Sequence, residues 1–343
     1  MSSWGTPSLL LVFVAAGAAT WIAGLYLSRA TDVLDERFGL GEAVGGMLLL
    51  GLAGSLPELA ITASAALSGH LALATGNLLG GIAMQTLVLV FLDATSRRKQ
   101  PLTSLSHDVS PLLESVLVIV LVMVALMGGL LPESTTIGPV SPASLGIVIF
   151  FLLGMLSLNR ARRRQVWALA GEPPPAAATS ENALGAATTA KVLGLFVAAS
   201  ALTLFAGVML EQTGNELADD FGMNGVVFGA TILAAVTALP EISSGLQAVR
   251  LGAVGLAMSD IYGGNAMQLT FFLLADLLAG DAVLPTASPE SLWLGGLGVV
   301  VTGIFAYGLL VRPERKAWLA GRDSWLVLAT YIVGVLFLTA IPD

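Results

Sequence analysis

Apolar residues run along this chain in long blocks separated by short polar breaks. Ten blocks reach about 17–25 residues, long enough to cross a bilayer. They lie near 8–28, 42–67, 71–93, 110–131, 143–159, 192–210, 225–249, 251–276, 291–311 and 324–341. A backbone facing lipid must satisfy its own hydrogen bonds, so each block is expected to be a helix. The expected class is an all-α membrane protein of ten transmembrane helices. Met1–Pro7 carries no Lys or Arg, so the first block lacks the basic flank of a cleaved leader and reads as a true helix.

Composition points the same way. The chain is 56% hydrophobic and 11% charged, against about 25% charged in a soluble domain. Its mean hydropathy is +0.87. Such a chain cannot clothe a water-facing surface, and membrane lipids are its expected surroundings. With no cysteine, disulfides, thiolate metal sites and cysteine nucleophiles are excluded. The net charge of −8 implies no basic partner, because in a membrane protein the place of a charge matters more than the sum. No nucleic-acid partner is expected.

Placing the N-terminus outside puts all 15 Lys and Arg residues on the inner side. Arg29 and Arg37 follow block one, and Arg97, Arg98 and Lys99 follow block three. Arg160 to Lys191 separate blocks five and six, Arg250 joins seven to eight, and Arg312 to Arg322 join nine to ten. This is the positive-inside pattern. The Pro- and Ala-rich stretch within 165–190 reads as a cytoplasmic linker. It divides the chain into a first five-helix repeat, 1–164, and a second, 191–343.

A shift of 183 residues aligns the halves without a gap from Ala23 to Asp93. Leu56-Pro57-Glu58 falls on Leu239-Pro240-Glu241. Gly80-Gly81 falls on Gly263-Gly264, Ala83-Met84-Gln85 on Ala266-Met267-Gln268, and Asp93 on Asp276. Gly51 to Asp93 holds 13 identities in 43 positions, clustered at polar residues. An odd number of spans per half inserts the second half upside down. Secondary transporters with inverted repeats hold their site at the midplane, on interrupted helices. Blocks two and seven, each with a central proline, are the expected interrupted pair.

Glu58 and Glu241 fall well inside their blocks, and no block carries a Lys or Arg to pair with them. A charge at the bilayer centre costs roughly 2.5–3.5 kcal/mol on insertion scales. Protons or metal cations must therefore offset the two carboxylates. Pro57 and Pro240 lack an N–H and release the carbonyls of Ala53 and Val236. Carboxylates beside free carbonyls suit calcium, which takes 6–8 oxygens in irregular geometry. Ser55 and Thr237 offer hydroxyls just before each Glu, as ligands or as bonds back to their own helix. Asn77, Gly81, Gln85 and Asp260, Gly264, Gln268 are each spaced to share one helix face. Their amides are further candidate ligands, with interhelical hydrogen bonding as the plainer alternative. Asp260 lies about 12 Å along its helix from Gln268 and is a candidate entry-side carboxylate or a hydrated helix-end charge.

Other polar residues carry less. Asp93 and Asp276 are expected to be solvated at the ends of blocks three and eight. Glu114 has no counterpart, and neither His70 nor His107, both placed in loops, has metal-ligand company. Glu211, Glu216, Asp219 and Asp220 read as an ordinary solvated outer loop.

Gly54-Ser55-Leu56-Pro57-Glu58, Gly76-Asn77 and Gly80-Gly81 resemble the first α-repeat of the sodium/calcium exchanger superfamily. Thr237-Ala238-Leu239-Pro240-Glu241, Ser259-Asp260 and Gly263-Gly264-Asn265 resemble the second. The resemblance covers nearly all the membrane part. It implies two inverted five-helix repeats and alternating access by sliding of the first and sixth helices. Glu58 and Glu241 would be the central pair for calcium and the counter-ion, with Ser55 and Thr237 as hydroxyl ligands. The chain departs from the sodium-coupled pattern at Gly54 and Ala238, where hydroxyl residues are usual. It departs again at Ile82, and at Gln85 and Gln268, which replace Asn or Asp. Glutamine there is more like the proton-coupled branch.

The expectation is thus a multi-pass antiporter of a prokaryotic plasma membrane. It would exchange Ca²⁺ for H⁺ or Na⁺ with no permanently bound cofactor. Proton coupling is favoured, because desolvation favours a protonated carboxyl. The alternatives are sodium-coupled exchange of another divalent cation, or an uncoupled cation channel, which needs no matched broken helices. An intramembrane phosphate-handling enzyme ranks last, since no block supplies a cationic side chain.

Overall fold

The computed structural model describes residues 4–38, 51–106, 109–164, 184–338 and 340–341. Among them there is no strand, only two isolated bridges, Ile137 with Val140 and Ala317 with Ala320. The first part of block two, His107 and most of the linker lie outside the described residues.

The expected blocks are helical over most of their described residues, with breaks at Ser55, Ala238, 252–253 and Thr270. The first half gives α1 (Thr6–Phe38), α2 (Leu56–Ser68), α3 (Leu71–Thr95), α4 (Ser110–Gly128) and α5 (Pro142–Arg164). The second gives α6 (Thr189–Asp220), α7 (Gly225–Thr237), α8 (Leu239–Leu251), α9 (Val254–Leu269), α10 (Phe271–Ala279), α11 (Pro289–Val311) and α12 (Arg322–Leu338). Six of these helices are individually long and apolar enough to span a bilayer, and α7 with α8, bent by 45°, makes a seventh as a broken span. The remaining blocks appear as shorter pieces: 51–54 with α2, α9 with α10, and α12.

Two helices stand apart. With 33 and 32 residues, α1 and α6 run about 50 Å at 1.5 Å per residue. That exceeds the roughly 30 Å hydrocarbon core, so they must tilt or project. They pack along each other at the rim, where only 33% and 28% of their apolar stretches are buried. By contrast 72% of α3 is buried, because α7, α8, α9, α11 and α12 surround it.

Matched local devices recur in the two halves. Gly69 ends α2 at φ 78° and Gly252 ends α8 at φ 84°. They are 183 residues apart and hold a left-handed cap that a side chain would strain. Unlike these caps, the π turns that interrupt α3 at Gly76–Gly80 and α7 at Gly229–Leu233 are not superposed by the 183-residue shift. The two turns pack together so closely that a Cβ on Gly229 would lie 3.0 Å from Asn77 N.

Asp93 and Asp276 correct the solvated reading, since both are wholly buried. Asp93 accepts hydrogen bonds from Leu102 N at 3.0 Å, Gly321 N at 2.7 Å and Ser324 Oγ at 2.7 Å. Lys316 Nζ lies 3.4 Å from its Oδ1. Asp276 accepts from Val283 N at 2.7 Å and Ser141 N at 2.9 Å. Each aspartate thus clamps the first turn of the last helix of the opposite half, where backbone N–H groups and the helix dipole favour an anion. Periodicity marked the helix ends but gave no sign that a distant helix start would close over them.

Glu211 also departs from the loop reading, because α6 runs ten residues past its apolar block. Glu211 is wholly buried. It accepts from Ser64 Oγ at 2.6 Å and pairs with His70 Nδ1 at 2.6 Å.

Replacing Asp93 with Ala strands several donors and Lys316. Breaking such a buried pair costs roughly 3–5 kcal/mol, so thermal unfolding in detergent should show a clear loss of stability. An unchanged midpoint would remove the clamp from the account.

Candidate functional site

The two Pro-Glu motifs start helices at internal breaks. Ser55 separates the turn at 51–54 from α2, and Ala238 separates α7 from α8. Pro57 and Pro240 occupy first-turn positions, where the missing N–H costs no hydrogen bond. The preceding helical segments end there, and the Glu side chains emerge at the break.

Glu58 is 2% exposed, and neither carboxyl oxygen makes a hydrogen bond of good geometry. Its polar neighbour is Thr237 of the other half, whose hydroxyl donates back to Ala234 O at 3.2 Å. Glu241 is part-buried, with Oε2 enclosed and unpartnered. Glu58 and Asp260 both lie near enough to repel it electrostatically. The carboxyls of the two halves therefore lie within electrostatic reach of each other, and among the described residues no Lys or Arg side chain is bonded to either.

The glutamines meet as well. Gln85 Nε2 donates to Gln268 Oε1 at 3.2 Å, and Gln268 Nε2 donates to Leu78 O at 3.0 Å. Oε1 of Gln85 remains as a buried, unpartnered acceptor. Gly81 and Gly264 make room for this junction. A Cβ on Gly81 would sit 3.4 Å from Gln268 Nε2, and one on Gly264 would sit 3.9 Å from both Gln85 Oε1 and Ser55 Oγ. Ser55 itself is buried beside them.

Asn77 and Asp260 diverge despite their matched positions. Asn77 lies in the π turn of α3, buried to 1%, with both amide atoms unpartnered. The widened turn shifts it relative to Gly81 and Gln85, so the expected common face holds only for Asp260, Gly264 and Gln268 in regular α9. Asp260 is exposed and accepts from Ser244 Oγ at 3.1 Å. The site is asymmetric in access: residues 55–58 are buried, whereas residues 239–244 are part-exposed and lead to Asp260.

Other polar residues near the breaks were given no role in the reading of the sequence. Asn265, quoted there only as part of the second motif, is wholly buried with both amide atoms unpartnered. Thr20 on α1 and Thr203 on α6 are wholly buried with unpartnered hydroxyls. These threonines are 183 residues apart, just before the start of the aligned stretch, so extending the alignment by three residues would have exposed them. One turn further along lie Gly24 and Gly207, another matched pair. A Cβ on Gly24 would be 2.8 Å from the Pro240 ring, and one on Gly207 would be 3.0 Å from Pro57 O. Each long rim helix thus crosses the break of the opposite half on a glycine.

The sequence profile described as sodium/calcium exchanger protein matches residues 8–167 and 191–340. CaxA of Alkalimonas amylolytica is 28% identical over 334 residues, covering 95% of this chain and 88% of its own. Inner membrane protein YrbG of Escherichia coli (strain K12) is 25% identical over 311 residues, covering 90% and 92%. The fold is similar to that of the H⁺/Ca²⁺ exchanger CAX, with TM-score 0.74 and 17% identity over 98% of this chain and 82% of that one. It is also similar to the sodium-calcium exchanger NCX_Mj, with TM-score 0.59 and 16% identity over 98% and 100%. With its profile match running through both halves and its helices arranged as in solved exchangers, this all-helical membrane chain belongs to the sodium/calcium exchanger family of cation antiporters.

Proposed function

We propose that the chain exchanges Ca²⁺ for protons across a bacterial inner membrane, with Glu58 and Glu241 as the shared binding pair. The observation that carries this reading is the electrostatic proximity of two carboxyls from opposite halves, with both Glu58 oxygens buried and unpartnered. Two carboxylates carry −2, which one Ca²⁺ or two protons balance, but not both together. Competition for one site is the basis of antiport. Ser55, Thr237, Asn77, Gln85, Gln268 and Asp260 are the proposed oxygen donors to the ion. Gly54 and Ala238 offer no hydroxyl, and the glutamines spend most of their amide groups on each other and on Leu78. That leaves few neutral oxygens for Na⁺ and favours protons. The inner-membrane assignment follows the description of YrbG.

Alternating access would come from α1 and α6 moving over the two breaks, where Gly24 and Gly207 make close crossings. The part-exposed α8 and Asp260 form the approach on the side of Arg250, which the charge pattern makes the inner side.

Calcium uptake into proteoliposomes should follow an imposed pH gradient and ignore a sodium gradient; sodium-driven uptake alone would overturn proton coupling. Glu58→Gln and Glu241→Gln each remove a charged ligand worth about 1.5–3 kcal/mol. Each should therefore weaken calcium affinity by roughly 10–100-fold, and undiminished exchange in both would reject the site. Gly207→Leu inserts a side chain where the gap is 3.0 Å or less. Overpacking of about 1–3 kcal/mol should slow exchange by on the order of tenfold while equilibrium ⁴⁵Ca²⁺ binding persists. A wild-type exchange rate would exclude movement at this crossing.

A further inference from the structure

Away from the carboxyl pair, the loops at 96–101 and 312–321 meet on the side where Lys and Arg collect. Lys316 N donates to Lys99 O at 3.2 Å. Lys316 Nζ donates to the backbone carbonyls of Asp93 and Ser96. The loops enclose an open cleft of about 590 Å³ lined by Arg98, Lys99, Arg315, Lys316 and Trp318. Glu314, in the same loop, is not part of the lining.

Lys316 is already neutralised by Asp93. The side chains of Arg98, Lys99 and Arg315 make no hydrogen bond or ion pair among the described residues. Gathering three uncompensated cations around one cleft is unfavourable without an anion among them. Trp318, on the cleft wall, is 84% exposed and holds φ 70°. The equivalent turn of the first half, bridged by Ile137 and Val140, places Gly138 there at φ 64°. An exposed tryptophan in a left-handed conformation is disfavoured on both counts. It is nevertheless fixed: its ring stacks on Trp325 at 6.0 Å and 16°, and Trp325 Nε1 donates to Ala317 O at 2.8 Å. Leu319 beside it is 52% exposed. Indole beside an aliphatic side chain at a helix end suits the headgroup layer.

We infer that this cleft binds the phosphate of an anionic phospholipid, held by Arg98, Lys99 and Arg315, with Trp318 and Leu319 against the glycerol and upper acyl region. The chemistry shared with a free anion is phosphate recognition by cations. The apolar wall selects the lipid. Lys316 joins the cleft to Asp93, so the bound headgroup would brace the ends of α3, α11 and α12. This inference is independent of the coupling ion.

The test is native mass spectrometry of the full chain given equal phosphatidylglycerol and phosphatidylcholine. Wild type should retain phosphatidylglycerol in preference by roughly tenfold or more. Arg98→Gln with Arg315→Gln should abolish the preference, and Arg160→Gln with Arg250→Gln should keep it. No preference in wild type, or a preference surviving in the Arg98/Arg315 variant, overturns the site. Displacement of the lipid by excess inorganic phosphate alone would assign a free anion and overturn the lipid. Should the Arg98/Arg315 variant fail to fold, brominated phosphatidylglycerol should quench wild-type indole fluorescence more than brominated phosphatidylcholine does. Trp318→Phe should remove that excess, and equal quenching by the two lipids would end the proposal.

Discussion

Two acidic side chains share an interior without a basic residue to balance them, and the rest of the molecule is arranged around that imbalance. In lipid the cost of an uncompensated charge is severe, so the pair is tolerable only when cations or protons reach it. Each half contributes one carboxyl at a broken helix, and in the proposed site the oxygens near each break would serve the ion as ligands. The same low dielectric that makes the empty pair costly makes an arriving cation bind well. Glu58 is buried and Glu241 part-exposed, so in the proposed exchange the ion would arrive from the Glu241 side.

The surrounding helices divide the mechanical work. α3 is the most buried of the spanning helices and is held at its end by the Asp93 clamp, which makes it a fixed reference. α1 and α6 lie at the rim, face lipid over most of their length and touch the breaks through glycine. Small residues let helices approach closely and slide with little side-chain interlocking. Stiff centre and smooth rim together fit a transporter that keeps its site in place while the barrier around it changes sides.

Much of this was legible in the sequence. The apolar blocks located the helices, and the 183-residue shift isolated Glu58, Glu241, Gln85 and Gln268 before any geometry was known. What could not be read were features made by contacts between distant segments. Asp93 looks like a helix-end charge until Gly321 and Ser324 close over it. Glu211 looks like part of an acidic loop until α6 continues and His70 meets it. Asn77 loses its expected alignment because a π turn is invisible to a fixed period. Thr20 and Thr203 were within reach of the repeat signal but lay beyond the stretch of obvious identity.

The aspartate clamps have a topological consequence. Asp93 belongs to the first half yet seats α12, and Asp276 belongs to the second yet seats α5. Each half therefore lends its final helix a foothold in its sibling, in the manner of two exchanged arms. Cutting the chain between them would leave two fragments that each lack a docking point. Neither clamp can form within one half alone, so the two halves stabilise each other reciprocally.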